Sequence, residues 1–226
     1  MIDKDLADLS QTWSHFGKTR AHWSVLTHSM YLPENLNDKA QQEFFDSGHH
    51  LLDYLEKILN RHGMSFRNQT VLDFGCGLGR VTAPCTSVAK KVYGFDVSLP
   101  HLQIAKEIAP TAEFFHVNSH RFLPPTPTRP NIIYSLLVLQ HNRPRLMQRY
   151  IALLLKLLDS QGYAILHIPY QVHNYSGNQN VNTLEMHFLS REVVRQLVTQ
   201  MNCIMLEEIH KDDPGVSSFF YVIKKQ

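Results

Sequence analysis

The sequence predicts an α/β fold: a mostly parallel sheet with helices on both faces, an antiparallel last strand and an N-terminal helical cap. Three observations carry this. From residue 70 onward, short runs rich in Val, Ile, Phe and Tyr alternate with amphipathic segments. The first run leads into a glycine-rich stretch, VLDFGCGLGR (71–80), and the second ends on an acid, Asp96. The chain closes on two strand-like runs with a short turn between them, the pattern of a hairpin. Alternation of strand and helix calls for a parallel sheet covered on both sides, and in such sheets ligands sit beyond the carboxyl ends of the strands.

The first 65 or so residues read as helical. Leu51, Leu52, Tyr54, Leu55, Ile58 and Leu59 recur at helical spacing, and Gly63 can take the left-handed conformation that ends a helix. Ahead of them, the aromatic-rich segment 13–38 is broken at Pro33. Residues 1–68 therefore read as a cap or lid and 69–226 as the core, together a single compact domain.

Strands are expected at 70–74, 91–95, 113–117, 131–136 and 163–168, with helices at 79–88, 99–108 and 144–158. FLPPTPTRPN (122–131) carries four prolines, which remove amide donors, so strands three and four should be joined by an extended loop. The polar stretch 170–188 reads as a long loop over the sheet's carboxyl edge. Ser190 should cap a helix that turns Val193, Val194, Leu197, Val198 and Met201 inward. Runs at 203–209 and 219–224, separated by KDDPGVSS, form the closing hairpin.

A chain of 226 residues can bury one sizeable core. Its formal charge is +2 and no basic run exceeds Lys-Lys, which argues against a phosphate-tracking surface. The N-terminus is acidic and polar, unlike a signal peptide, and no apolar stretch reaches the roughly 18 residues of a membrane span. Three cysteines without CxxC spacing suit reduced thiols in a cytoplasm. The 14 histidines include no HExxH, HxH or Cys/His cluster, so no metal site is expected.

Gly75, Gly77 and Gly79 let backbone amides approach a ligand closely. Asp96, 19 residues beyond Gly77, can accept both hydroxyls of a ribose; alternatively it caps the following helix. A pyrophosphate fingerprint would place a third glycine where Arg80 stands, and a triphosphate loop would need Gly-Lys-Ser/Thr. Asp73 would repel a pyrophosphate and attract a cation.

In these motifs the sequence resembles the class I S-adenosylmethionine-dependent methyltransferases over about residues 70–226. VLDFGCGLGR looks like their first motif, VYGFDVS (92–98) their ribose-binding segment, FFHVNSHRF (114–122) the adenine-side strand, NIIYSLLVLQHNRP (131–144) the fourth-strand motif and LLKLLDSQGYAILHIP (154–169) the fifth. The resemblance is closest to the small-molecule branch with LQH after strand four and an FFxSG segment, here Phe44, Phe45, Ser47 and Gly48. It implies a Rossmann-like seven-stranded sheet of order 3-2-1-4-5-7-6, S-adenosylmethionine as cofactor and S-adenosylhomocysteine as product. It implies further that Asp73, Gly75 and Gly77 line the methionine end, Asp96 holds the ribose, and Asn118 and Ser119 flank the adenine, with Val97 and Ser135 as further cofactor-binding positions. Three departures stand out: Asn118 where an aspartate is usual, Asn131 where strand four usually starts with an acid, and DSQG (159–162) in place of a Pro-Gly-Gly turn.

Methyl transfer from a sulfonium is an in-line displacement that needs positioning, and a base only when the acceptor must lose a proton. His141, in VLQHN, is the candidate general base; a loop-fixing role is the alternative. Gln140 reads as support. His167, Tyr170, His173 and His187 fall where substrate contacts are expected. Of the aromatics Trp13, Trp23, Tyr31, Phe44 and Phe45, the segment broken at Pro33 favours Trp23 and Tyr31 as substrate-contacting lid residues. The expected function is methyl transfer to an O or N atom of a small molecule. A nucleic-acid methyltransferase lacks support, since the base-flipping Asn/Asp-Pro-Pro-Tyr/Phe motif is missing after strand four. A degenerate binding protein and an NAD-dependent dehydrogenase are the remaining rivals.

Overall fold

The computed structural model describes residues 2–173 and 184–226. Its strands are β1 (Thr70–Phe74), β2 (Lys91–Asp96), β3 (Glu113–His116), β4 (Ile132–Ser135), β5 (Tyr163–Val172), β6 (Cys203–Asp213) and β7 (Val216–Lys225). They form a seven-stranded sheet of order β3-β2-β1-β4-β5-β7-β6. β1, β2 and β3 pair in parallel, as do β4 and β5, while β7 runs antiparallel to both β5 and β6. This is the fold class and strand order expected. The helices are α1 (Ile2–Thr19), α2 (Ala21–Val25), α3 (Asp38–Asn60), α4 (Thr82–Thr86), α5 (Leu99–Ile108), α6 (Pro144–Leu157) and α7 (Arg191–Gln200).

The chain divides into two compact units, Ser10–Val117 and Met1–Leu9 with Asn118–Gln226. In the first, every residue of β1 is buried, the pattern of a central parallel strand covered on both faces. α3 begins where Asn37 accepts a hydrogen bond from the Ala40 amide, and it buries Phe44, Leu52, Leu55, Ile58 and Leu59 on one face. Each such side chain contributes about 1.5–3 kcal/mol of hydrophobic burial. Gly63, at φ 73°, follows the helix in the left-handed region, as expected.

In the second unit, α6 turns Leu146, Met147, Tyr150, Ile151, Leu154 and Leu155 inward. Its last carbonyls, which have no partner within the helix, accept hydrogen bonds from Lys225 Nζ: Leu155 at 3.0 Å, Lys156 at 3.1 Å and Leu158 at 2.8 Å. Ser190 Oγ caps α7 by accepting from the Val193 amide, as the sequence led us to expect.

Several boundaries differ from expectation. The helix expected over 79–88 is confined to Thr82–Thr86, because Gly79 sits at φ 80° and cannot start a right-handed helix. β5 continues through Val172, so residues 170–172 belong to a strand rather than a loop, with a register shift between Pro169 and Gln171. Pro169 is tolerated because β5 pairs with β4 only as far as Leu166. The expected eight-residue turn shrinks to Pro214-Gly215, with Asp213 opposite Val216 and Gly215 at φ 85°, the conformation a type II turn asks of its third residue. Of the expected loop over 170–188, residues 174–183 lie outside the described residues.

Candidate active site

The Ser10–Val117 unit carries the glycine turn. Gly75, Gly77 and Gly79 all take positive φ, 79°, 53° and 80°, so the turn needs residues without a Cβ. The amides of Gly75 and Cys76 both donate to the Phe95 carbonyl, at 2.6 and 3.0 Å, which pins the turn against the end of β2. Gly77 N then donates to Asp96 Oδ2 at 2.9 Å, and Ser98 N donates to Asp96 Oδ1 at 2.8 Å. Each carboxylate oxygen accepts one amide and keeps a further acceptor site, a geometry suited to two neighbouring hydroxyls. Asp96 thus fixes the local backbone through both of its carboxylate oxygens. Val97 lies beside it, its carbonyl bonded by Ser10 Oγ at 3.0 Å and by His116 Nε2 at 3.1 Å.

Asp73 is 5% exposed and accepts from Thr82 Oγ1 at 2.7 Å. Between the two acids the Cys76 thiol is pushed well up, first by burial and then by the charges of Asp96 and Asp73. The thiol is held in its protonated form, and the turn presents negative rather than nucleophilic character.

α3 supports the turn from the other side, which gives FFDSG (44–48) a physical reason. A Cβ on Gly48 would stand 2.0 Å from the Arg80 carbonyl oxygen, so helix and turn meet backbone to backbone. Arg80 Nη1 donates to Ser47 Oγ at 3.0 Å, and its guanidinium lies 5.9 Å from the Phe44 ring centroid. Phe44, Tyr31 and Leu78 form a buried cluster, with Trp23, Val25 and Phe45 packed on it. Tyr31 is therefore largely a core residue, its ring 5.4 Å from Phe44. Trp23 is half-buried, 6.1 Å from Phe16 and with the Arg20 guanidinium 5.0 Å from its ring. Trp13 packs on Phe16 and His101. Val25 Cγ2 lies 3.1 Å from where a Gly77 Cβ would be, so α2 touches the turn itself.

The other unit holds the remaining candidates. His141 follows β4 in a 3-10 turn, Leu139–His141. Its Nδ1 lies 3.2 Å from the Glu185 carbonyl oxygen, and its Nε2 lies 3.3 Å from Gln140 Nε2, so Nδ1 carries the proton and Nε2 the lone pair. Burial lowers its pKa to about 4, with His187 adding to the shift and the Glu185 carbonyl opposing it. Gln140 is buried and its carbonyl accepts from the His187 amide at 2.6 Å, which is structural support. His187 is itself 1% exposed, its pKa lowered by burial and then by Arg143.

His167 is 2% exposed, stacks on Phe220 at 4.6 Å and places Nε2 2.8 Å from Ser218 Oγ, while burial lowers its pKa to about 4. Tyr170 pairs its hydroxyl with His210 Nε2 at 3.1 Å and packs on Phe219. His173 is exposed and donates its amide to the Gly215 carbonyl. Asn118 is exposed, Ser119 Oγ accepts from the Arg121 amide at 3.1 Å, and Ser135 is fully buried at the end of β4. Two departures from the resembled pattern meet each other: Asn131 Nδ2 donates to Asp159 Oδ2 of DSQG at 3.3 Å.

The structure thus brings Asp73, Gly75, Gly77, Asp96 and Val97 into one turn, with Trp23 and Tyr31 on the helices that cover it. Sequence reasoning missed Thr82, Ser98 and His101. The serine after Asp96, just ahead of a helix beginning Leu-Pro, was the available signal, since Ser98 is the N-cap of α5.

A family profile described as methyltransferase domain matches residues 44–207. Magnesium protoporphyrin IX methyltransferase from Synechocystis PCC 6803, solved with bound S-adenosylhomocysteine, superimposes with a TM-score of 0.72 at 17% identity, covering 98% of this chain and 100% of that one. The same enzyme with bound S-adenosylmethionine gives 0.69 at 16% identity, covering 98% and 97%. The 1,6-didemethyltoxoflavin-N1-methyltransferase of Burkholderia thailandensis, with its substrate and S-adenosylhomocysteine bound, gives 0.58 at 18% identity, covering 82% and 86%. At such identities these likenesses establish the fold. No curated protein sequence matches significantly. Among the described residues no helix is long and apolar enough to cross a membrane.

Proposed function

The chain belongs to the methyltransferase-domain family, and on that premise we propose that it transfers a methyl group from S-adenosylmethionine to an O or N atom of a small-molecule acceptor. The observation that carries the proposal is the Asp96 carboxylate, fixed by the Gly77 and Ser98 amides with an acceptor site left on each oxygen. A ribose diol supplies two donors to it, and the Asp73 charge one turn away suits the cationic end of this nucleoside. Bound S-adenosylmethionine and S-adenosylhomocysteine in the solved relatives support the same donor. In this reading Gly75 and Gly77 take the methionine end beside Asp73, Val97 and Ser135 complete the cofactor contacts, and Asn118 and Ser119 flank the adenine.

A small acceptor is favoured by the formal charge of +2 without a basic run, and by relatives that methylate a porphyrin and a toxoflavin precursor. Residues 1–68 act as the lid, and of the residues expected at the acceptor the half-buried Trp23 keeps that role, while Tyr31 and His167 are packed into the interior and support the fold. When the acceptor is a hydroxyl, the S–CH3 bond breaks as the new C–O bond forms and the hydroxyl proton goes to His141 Nε2, displacing its long contact with Gln140; a neutral amine attacks through its lone pair and releases its proton to solvent after the transfer. With a pKa near 4 the imidazole is neutral throughout the neutral range, so turnover should be flat from about pH 6 to 8. His141→Ala should then abolish turnover with cofactor affinity preserved; an unchanged rate would return His141 to a structural role.

Asp96→Ala tests the donor reading. Hydrogen bonds to a charged group contribute about 1.5–3 kcal/mol each, so losing two should weaken S-adenosylhomocysteine binding about a hundredfold or more, in a protein that still unfolds cooperatively. Wild-type affinity in that variant would remove Asp96 from the site.

A further inference from the structure

α5 starts three residues beyond the ribose-binding acid, and its first turn buries a histidine that the proposed chemistry does not use. His101 is 1% exposed. Its Nδ1 lies 2.7 Å from Ser98 Oγ and its Nε2 lies 2.9 Å from Ser24 Oγ of α2. Ser24 Oγ is also 2.7 Å from the Ala21 carbonyl oxygen, and Ser98 Oγ is 3.1 Å from the Trp13 carbonyl oxygen. Helix α1 is equally close: a Cβ on Gly17 would stand 2.7 Å from His101 Nδ1. Three helices therefore converge on one imidazole.

Proton counting orders this network. Two hydroxyls and a neutral imidazole hold three protons for four short contacts, so one contact goes without. The longest, Ser98 to Trp13, is the one to yield. Nε2–H then donates to Ser24, Ser24 donates to the Ala21 carbonyl, and Ser98 donates to Nδ1. Burial lowers the His101 pKa while the Asp96 charge opposes it, consistent with a neutral ring. From Ser98 the chain of bonds continues: its amide holds Asp96 Oδ1, and Asp96 Oδ2 holds the Gly77 amide. At its other end, α2 rests Val25 against Gly77. Lid, ribose acid and glycine turn form one closed circuit.

We infer that His101 is a positioning residue for the cofactor, holding the α2 lid and the Asp96 carboxylate in a single hydrogen-bonded unit through Ser24 and Ser98. The inference rests on the reading of the glycine turn as an S-adenosylmethionine site. Its geometric consequence is that the ribose hydroxyls meet an acid whose orientation depends on whether α2 is seated.

The test is calorimetric titration of S-adenosylhomocysteine into the wild type, Ser24→Ala, His101→Phe and the double variant, with hydrogen exchange of residues 13–25 in the presence and absence of that ligand. Loss of one neutral hydrogen bond should weaken binding about tenfold in each single variant. The double variant should be no weaker than the poorer single, because both break the same circuit. With any accepted acceptor, KM for S-adenosylmethionine should rise while kcat stays near the wild-type value, and ligand-induced protection of α2 should vanish. Ser24→Ala removes a single hydroxyl and stands in for His101→Phe should the latter not fold. A wild type that binds the ligand alongside variants of equal affinity and equal α2 protection overturns the role of His101 alone. A wild type that does not bind it overturns the parent reading, and this role with it.

Discussion

Gly48 shows how much a single missing methyl group can decide. Its Cα approaches the Arg80 backbone so closely that alanine cannot be accommodated without moving α3 off the glycine turn. Gly48→Ala should lower stability in urea titration by about 1–3 kcal/mol and also weaken S-adenosylhomocysteine binding. Gly63→Ala makes the comparison, since nothing lies within 4 Å and only its φ of 73° opposes a side chain. That variant should lose about 1–2 kcal/mol and keep full ligand affinity. Equal ligand affinity in both would detach α3 from the site. The sequence marked Phe44, Phe45, Ser47 and Gly48 as a pattern without a reason, because their partner Arg80 lies more than thirty residues on. Arg80 itself was legible only as the residue that breaks a pyrophosphate fingerprint; its part-buried bond to Ser47 needed coordinates.

At the scale of elements, periodicity placed β1, β2, α5 and α6 closely, since each buries one regular face or is buried throughout. It failed where backbone geometry overrules side-chain pattern. Gly79 delays α4, and Pro-Gly at 214–215 closes a hairpin tighter than the polar residues around it suggest. Polar residues in β6 and β7 read as turn because Lys211, Asp212, Asp213, Ser217 and Ser218 are individually poor strand formers, yet each pairs in the ladder. The end of β7 also finishes α6, through Lys225. Lys225→Ala should destabilise the protein by about 1 kcal/mol in urea titration, because three terminal carbonyls lose a cationic donor and only those of Lys156 and Leu158 keep one in Arg129. No change in midpoint would show that Arg129 and water satisfy them equally well.

Over the whole molecule, titration should favour folding at neutral pH and oppose it in acid. His141 and His167 have folded-state pKa values near 4, against about 6.5 in an unfolded chain. Between these limits the unfolded chain binds more protons, so stability falls as pH drops, by about 1.4 kcal/mol per pH unit for each histidine. His22, His101 and His187 shift in the same direction. Urea midpoints should hold steady above about pH 7 and decline from about pH 6.5 towards 4; an unchanged midpoint down to about pH 5 would contradict the burial of these rings. Charge and motif order in the sequence were enough to indicate the methyl donor, since Asp73, Gly75, Gly77 and Asp96 lie at the ends of two adjacent strands, β1 and β2. The acceptor left no such trace, because the candidates for it, Trp23, Tyr31, His167 and Tyr170, come from distant parts of the chain and share no local pattern. The central claim is therefore tested most directly by calorimetry of the wild-type protein with S-adenosylhomocysteine and, separately, with NAD. A dissociation constant below about 100 μM for the former and no measurable heat from NAD is the expected result. Binding of S-adenosylhomocysteine no tighter than about millimolar, or preferential binding of NAD, would contradict it.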